Sequence, residues 1–379
     1  MTGVATDYGD GMTDHDGAGA PSSGLTSAAP EERSDEEAQR GRKATASRAP
    51  APARAKRAPE TLRLAVPDGY DFGGTVGALP MGRHDPSLRI AQGAFWWAAR
   101  TPDGLGTLSL LRDGRDLVAT GYGPGAQWVL AQADGVAGLR DDLTGFAEVA
   151  ARHPVVAELA RRHHGLRLPS TGRVFQRLVR AIFEQKVTGK EAYRAYSATI
   201  RHFYRESGRE PAPGPLPGLL PPPDPRAVAA TPYWVFHPFG VEQRRADTLL
   251  RAAVAAAGLE SSADSAEATR RLTSIQGIGA WTAAEVVREV YGDPDAVSVG
   301  DYHIPHIVSW ALAGRARAGS RDAGPDAGPG ALSPADVRML ELLEPFGGHR
   351  GRVCWLLEHT GHSAPRFGPR MPVRSIAAY

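Results

Sequence analysis

The stretch LTSIQGIGAWTAAEVV, residues 272–287, decides the fold. Leu272 and Ile275 end one amphipathic helix, a glycine-flanked turn follows, and a second helix begins at Trp281. Glycines let the backbone of a turn approach a phosphate, and the free amides at the start of a helix donate to an anion. We therefore predict a helical hairpin that binds phosphate through Gly277, Ile278, Gly279, Ala280 and Thr282, with Ile278 also anchoring the turn in the core. An ordinary corner between two helices is the alternative.

A second informative stretch, DAVSVGDYHIPHIV at 295–308, follows the hairpin by about twenty residues. It places Asp301 after a short apolar run, at the junction of a loop and a helix. An aspartate there commonly caps the helix. The same carboxylate could instead carry chemistry, and the residues alone leave both interpretations open.

Taken together, the hairpin and the following aspartate resemble those of the HhH-GPD superfamily of DNA glycosylases. The resemblance extends over roughly 62–360 and is closest to the AlkA-like 3-methyladenine DNA glycosylase II family. It is carried by GLRLPSTGRVFQRLVRAIFEQKVTGKEA (165–192), FGVEQRRADTLLRAA (239–253) and LLEPFGGHRGRVCWLLEHTG (342–361).

This resemblance implies a DNA glycosylase of base excision repair that hydrolyses the N-glycosidic bond of alkylated purines of the 3-methyladenine type. The damaged nucleotide would be flipped out of double-stranded DNA, and an abasic site would remain. Asp301 is the expected catalytic carboxylate. The expected base pocket comprises Trp281, Tyr302, Gln185, Glu285 and His349.

Two positions depart from the family pattern. Glu285 stands where an aromatic residue is common, and His349 ends a Phe-Gly-Gly-His run where the family has a tryptophan-containing loop. Glu285 either lines the pocket or faces solvent, and we favour solvent. The substrate therefore stays open between alkylated bases and oxidised or deaminated ones, and a catalytically silent DNA-binding protein with the same hairpin is a third possibility.

The lyase branch of the superfamily carries a lysine two residues after the second hairpin glycine, where this sequence has Trp281. The chain has no lysine beyond Lys190. An amine nucleophile is thus missing where a Schiff base would form. The single cysteine, Cys354, excludes an iron–sulfur cluster held by four cysteines of this chain. We predict a monofunctional enzyme.

The fold class expected is α+β, within a chain of 379 residues and net charge +2. Residues 1–58 have the composition of a disordered, basic, low-complexity tail. Residues 59–142 contain β-prone runs, including AFWWAAR, GTLSLLR and WVLAQAD, and match the family's small TATA-binding-protein-like domain. Residues 143–361 show helical periodicity and would form the glycosylase domain, followed by a C-terminal tail at 362–379.

The sequence shows neither a membrane-length apolar run nor a signal peptide, so we expect a cytoplasmic, nucleoid-associated protein. A monomer with double-stranded DNA as its partner and no required cofactor is expected. His303 and His306 share a helical face but lack further ligands at suitable spacing, so no metal site is predicted. The resemblance allows a structural monovalent cation at the hairpin.

Overall fold

A computed structural model describes residues 58–315 and 331–362. The predicted tails at 1–58 and 362–379 lie outside these residues except for the innermost residue of each.

The first part of the described chain forms a five-stranded antiparallel sheet with the order β1-β5-β4-β3-β2. Its strands are β1 (Glu60–Ala65), β2 (Leu88–Ala91), β3 (Ala94–Thr101), β4 (Gly104–Asp113) and β5 (Asp116–Tyr122). Gly104 and Gly114 have φ of +114° and +60° in the turns that flank β4. Glycine suits both positions, because these turns need the left-handed backbone that it adopts without strain.

The run WVLAQAD, predicted as a strand, is helical in the structure. It belongs to α2 (Ala126–Ala131) and α3 (Ala133–Val136). Ala126, Val129, Ala133 and Val136 are buried at helical spacing and pack on one face of the sheet. Burial of this helical face outweighs the local β preference of the Trp-Val-Leu run.

Two adjacent tryptophans on β3 point to opposite faces of the sheet. Trp97 is 1% exposed in the core under α2, whereas Trp96 packs with Leu216, Leu219 and the ring of Tyr122. Both tryptophans are thus part of the core, one on each face of the sheet. The proline-rich segment at 208–225 is therefore a covering layer for the second face of the sheet.

The rest of the described chain is helical, which confirms the α+β class. After α1 (Phe72–Gly77), α2 and α3, the helices are α4 (Phe146–Ala150), α5 (Pro154–Arg162), α6 (Val174–Glu184), α7 (Gly189–Glu206), α8 (Pro225–Ala229), α9 (Gln243–Glu260), α10 (Ser265–Thr273), α11 (Ala280–Tyr291), α12 (Ile304–Ala313), α13 (Pro334–Leu343) and α14 (Arg350–His359). Short 3-10 helices occupy Tyr233–Phe239 and Glu344–Phe346. Among the described residues, no helix combines the length and the apolar character that a membrane span requires.

The helices bury their apolar faces in two cores. One core surrounds α6, which is buried along most of its length against α7, α9 and α11. The other lies among α4, α5, α12, α13 and α14. The loop at 292–303 joins α11 of the first core to α12 of the second, so residues on this loop lie where the two cores meet.

Candidate active site

The predicted hairpin is formed by α10, a turn at 274–279 and α11. Gly277 has a φ of +98°, and a Cβ there would lie 2.1 Å from Oγ1 of Thr248 on α9. Gly279 has an extended backbone with a φ of −104°, and a Cβ there would meet nothing within 4 Å. Gly277 is thus required by packing inside the protein, whereas Gly279 borders open space at the start of α11.

Ile278, between the two glycines, is 5% exposed and belongs to the core around α6. Its predicted role as the anchor of the turn is confirmed. Ala280 and Thr282 begin α11, and Thr282 is buried. The first amides of a helix lack partners within that helix, so this end of α11 presents donors beside the open space at Gly279.

Gln185 follows α6 and holds the hairpin from the side. Its amide Nε2 donates to the carbonyl oxygen of Gly277 at 3.1 Å and to Oγ1 of Thr282 at 2.9 Å. Both hydrogen bonds are donated by the same amide group, so the Gln185 side chain links the turn to the start of α11.

Asp301 lies beside the N-terminal end of α11. Its Oδ1 accepts from the backbone N–H of His303 at 2.6 Å and of Ile304 at 2.9 Å, which caps α12. Its Oδ2 accepts from the indole Nε1–H of Trp281 at 2.9 Å. The carboxylate is therefore a helix cap and also a neighbour of the hairpin, so the two interpretations left open by the sequence are compatible.

The structure brings Trp281, Asp301, Gln185 and the glycine turn together. Tyr302 lies next to Asp301 in the chain, but its side chain is largely at the surface, with 53% of the residue exposed and its ring edge-on to His303 at 4.7 Å. These positions are compatible with the predicted pocket roles of Trp281 and Tyr302.

Glu285 lies one helical turn after Trp281 and does not face solvent, so that expectation is wrong. It is 8% exposed, and its carboxylate accepts from Arg177 at 2.7 Å, from Arg288 at 2.8 Å and from Ser298 at 2.5 Å. Burial alone raises the pKa of Glu285, but Arg288, Arg177 and Ser298 outweigh it and hold the pKa below its ordinary value. Glu285 is therefore ionised and held in a buried network.

This network ties α6 to α11 below the hairpin. Arg177 of α6 pairs with Glu285 and with two further carboxylates, at 3.1 Å on Glu184 and 2.9 Å on Glu289. Arg180 adds a second pair to Glu289 at 3.0 Å. Ser298 connects the network to the loop that carries Asp301, so the positions of α11 and of this loop are coupled.

His349 lies apart from this group. Its ring stacks at a tilt on Phe146 with centroids 5.1 Å apart, and its Nδ1 accepts from Nε of Arg352. Arg352 is buried and pairs with Asp141 at 2.5 Å. Burial and the charge of Arg352 lower the pKa of His349, which favours the neutral ring.

A cavity of about 370 Å³ lies beside His349, on the α5 side of α14. Its wall is mostly apolar and includes Phe146, Leu166, Trp355 and Leu356, with Arg352 at its edge. None of Trp281, Gln185 or Asp301 lines it. The cavity is thus separate from the group around the hairpin.

Glu358, near the end of α14, is a residue that the sequence reasoning missed. Burial, together with the charges of Glu285 and Asp301, raises its pKa to about 7, and Arg288 opposes this shift. The same surroundings raise the pKa of the Cys354 thiol. No motif marks Glu358, because its charged partner Arg288, at 3.8 Å, comes from α11.

Among the described residues, no cluster of three or more His, Cys, Asp or Glu side chains is arranged to hold a metal ion. At the hairpin, the carbonyl of Gly277 already accepts from Gln185, and that of Gln276 accepts from the Arg251 guanidinium at 3.0 Å. The positive charge of Arg251 disfavours a cation at Gln276. A monovalent cation at the remaining turn carbonyls stays a prediction.

The sequence matches no protein-family model and no curated protein. Solved structures do match. A 3-methyladenine DNA glycosylase from Archaeoglobus fulgidus is 18% identical with a TM-score of 0.61, over 80% of this chain and 100% of the other.

An 8-oxoguanine glycosylase/lyase from Clostridium acetobutylicum in its apo form is 13% identical with a TM-score of 0.56, over 80% of this chain and 97% of the other. The same protein in complex with double-stranded DNA containing cytosine opposite 8-oxoguanine gives 14% identity and a TM-score of 0.53, over 77% and 91% of the two chains. These likenesses confirm the fold that the sequence resemblance implied.

Proposed function

We propose that this chain, which has the fold of the helix-hairpin-helix DNA glycosylases, is a monofunctional DNA glycosylase of base excision repair that releases alkylated purines of the 3-methyladenine type. The observation that carries the proposal is the position of Asp301, whose carboxylate is held 2.9 Å from the Trp281 indole nitrogen at the start of the hairpin's second helix.

DNA binding rests on the hairpin. The open space at Gly279 admits a phosphate group close to the first amides of α11, where the helix dipole adds a partial positive charge. Gln185 keeps the turn in this shape through its two hydrogen bonds. These contacts recognise the sugar–phosphate backbone and leave the choice of lesion to the base site.

Base release begins when the damaged nucleotide is extruded from the duplex. The base would stack on Trp281, with Tyr302 at the entrance, because electron-poor alkylated bases are attracted to aromatic faces. Asp301 then lies against the sugar. Its negative charge stabilises the oxocarbenium-like transition state, and its carboxylate orients the attacking water and accepts a proton from it.

Cleavage without strand nicking follows from the absence of an amine at the hairpin. The lysines of the described chain are Lys186 and Lys190, both exposed near the start of α7, and Trp281 occupies the position where the lyase branch carries its nucleophile. Borohydride should therefore trap no covalent complex between the enzyme and DNA.

The test is mass-spectrometric identification of the free bases that the purified protein releases from methylated genomic DNA. Release of 3-methyladenine and 7-methylguanine with abasic sites left in intact strands is the expected result. Release of only oxidised or deaminated bases would replace the substrate class, and binding without release of any base would favour the catalytically silent alternative.

A further inference from the structure

Arg251, in the middle of α9, is fixed against the hairpin turn. Its Nε donates to the carbonyl oxygen of Gln276 at 3.0 Å, and its Nη2 donates to Oγ1 of Thr248 at 3.2 Å. Long side chains of a helix lean toward its N-terminal end, so the guanidinium reaches back along α9 to the level of Thr248. The hydroxyl oxygen of Thr248 is also the atom that excludes a side chain at Gly277. The packing that requires glycine in the turn therefore also holds Arg251 beside it.

The guanidinium of Arg251 has N–H groups that these two hydrogen bonds leave unused. Within the described part of the chain, no further acceptor binds it. The arginines of α9 and α10 that pair with a described carboxylate are Arg245, with Glu242, and Arg271, with Glu267. Arg251 is half-buried. Its charge and its remaining N–H groups are therefore held in place and available to an anion.

Arg245, on the same helix, shows the opposite arrangement. It is 4% exposed, and its two Nη groups donate to the carbonyl oxygens of Phe183 at 3.1 Å and Gly240 at 3.2 Å. These bonds tie α9 to the end of α6 and to the turn before α9. Arg245 is therefore a structural arginine, whereas Arg251 is oriented by the hairpin and stays partly open to solvent.

The position of Arg251 suits a phosphate group of DNA. Gln276, its acceptor, stands just before the Gly-Ile-Gly turn, and the open space at Gly279 lies at the other end of that turn, beside the first amides of α11. A planar guanidinium matches phosphate oxygens through paired N–H groups. A side chain already held by two hydrogen bonds loses little further freedom on binding. The short turn is thus flanked by two groups that attract anions.

We propose that Arg251 binds a backbone phosphate of DNA next to the phosphate at the hairpin amides, so that the backbone-binding surface extends from the turn onto α9. This inference rests on the proposed glycosylase function and deepens it, because it assigns to DNA binding a fixed positive charge outside the hairpin. Backbone amides and a helix dipole supply partial charges, whereas an arginine that neutralises a phosphate releases a counterion. The affinity for DNA therefore depends on salt through this residue.

The test is the salt dependence of binding to a duplex with a tetrahydrofuran abasic-site analogue, measured by fluorescence anisotropy between about 50 and 200 mM KCl. At about 100 mM KCl, Arg251→Gln should bind about tenfold more weakly than wild type. Its plot of log affinity against log salt concentration should be less steep by about one, as expected for the loss of a single phosphate contact. Arg251→Lys should keep most of the slope and bind with intermediate affinity, because an ammonium group retains the charge and loses the paired geometry.

Arg89→Gln is the matched control. Arg89 of β2 is also half-buried, and its guanidinium donates to the carbonyl oxygens of Asp85 at 3.3 Å and Gly218 at 3.0 Å. Its replacement removes the same kind of hydrogen bonds as Arg251→Gln, so the two variants should melt at similar temperatures. Because Arg89 lies in the sheet, Arg89→Gln should leave both the affinity for the duplex and the salt slope unchanged.

Weaker binding by Arg251→Gln with an unchanged salt slope would mean that Arg251 only supports the turn, and this result would overturn the inference. Wild-type affinity and slope in Arg251→Gln would overturn it as well, even if the wild-type protein releases bases. If the expected slope difference is found but the wild-type protein releases no base, the phosphate contact is supported and the proposed function is refuted. Failure of the wild-type protein to bind any duplex would refute both.

Discussion

Replacing Asp301 by asparagine separates its two roles. The asparagine oxygen can still accept from the backbone N–H groups of His303 and Ile304, so the cap of α12 is retained. The amide nitrogen cannot accept from the Trp281 indole, so one hydrogen bond is lost. We expect a loss of stability of about 1 kcal/mol.

The expected loss of transition-state stabilisation is larger than this loss of folding stability. A carboxylate about 4 Å from a cationic sugar, in surroundings with an effective dielectric constant of about 20, contributes about 4 kcal/mol. Loss of this term slows base release about a thousandfold. Binding to DNA that contains an abasic site should persist within about threefold, because the hairpin contacts are unchanged.

The assay is single-turnover release of 7-methylguanine, with fluorescence anisotropy for abasic-site binding and thermal melting for stability. Asp71→Asn is the control, because Asp71 likewise caps a helix, α1, through Gly74 at 2.8 Å but lies in the sheet region. The control should retain full activity. Activity of Asp301→Asn within tenfold of wild type, or a loss explained by unfolding, would refute the assignment.

Three further predictions concern the hairpin turn, the buried charge network and the separate pair of Arg352 with Asp141. Gly277→Ala should destabilise the protein by about 2 kcal/mol, because its positive φ and the contact with Thr248 both oppose a side chain. Gly279→Ala should melt like wild type and weaken abasic-site binding about tenfold, which corresponds to about 1.4 kcal/mol; equal effects of the two changes would contradict the distinction. Glu285→Gln should cost about 3 kcal/mol in urea unfolding at pH 7, against less than about 1 kcal/mol for the exposed Glu341→Gln. Because the folded-state pKa of Glu285 is depressed, its contribution is fully present above the ordinary value of 4.5 and is lost as the pH falls through the folded pKa. The urea midpoints of wild type and Glu285→Gln should therefore converge below pH 4.5, and a constant gap down to pH 3 would contradict the assignment. Arg352→Ala should cost about 3 kcal/mol in the same measurement, since it leaves Asp141 buried without its partner. Arg350→Ala, which breaks the more exposed pair with Asp295, should cost less than half as much.

The hairpin, the helices that follow it and the position of Asp301 could be predicted from the sequence. Each depends on local rules, because a helical stripe repeats within a few residues and a glycine turn is encoded by adjacent positions. Both α11 and α14 lie within 143–361, the segment predicted to be helical from its periodicity. The strand predicted for WVLAQAD was wrong, because the helical face of this run becomes favourable only when the sheet covers it.

Only the tertiary structure shows which charged side chains are paired with one another inside the protein. Glu285 is buried because Arg177, 108 residues earlier in the chain, reaches it from α6. Glu358 likewise lies 3.8 Å from Arg288 of α11, a residue 70 positions earlier in the chain. The sequence by itself determined the backbone-binding hairpin and the carboxylate that follows it, since both are local patterns. The protonation and partners of the other acids depend on burial and charge contributed by distant segments, which no local pattern records.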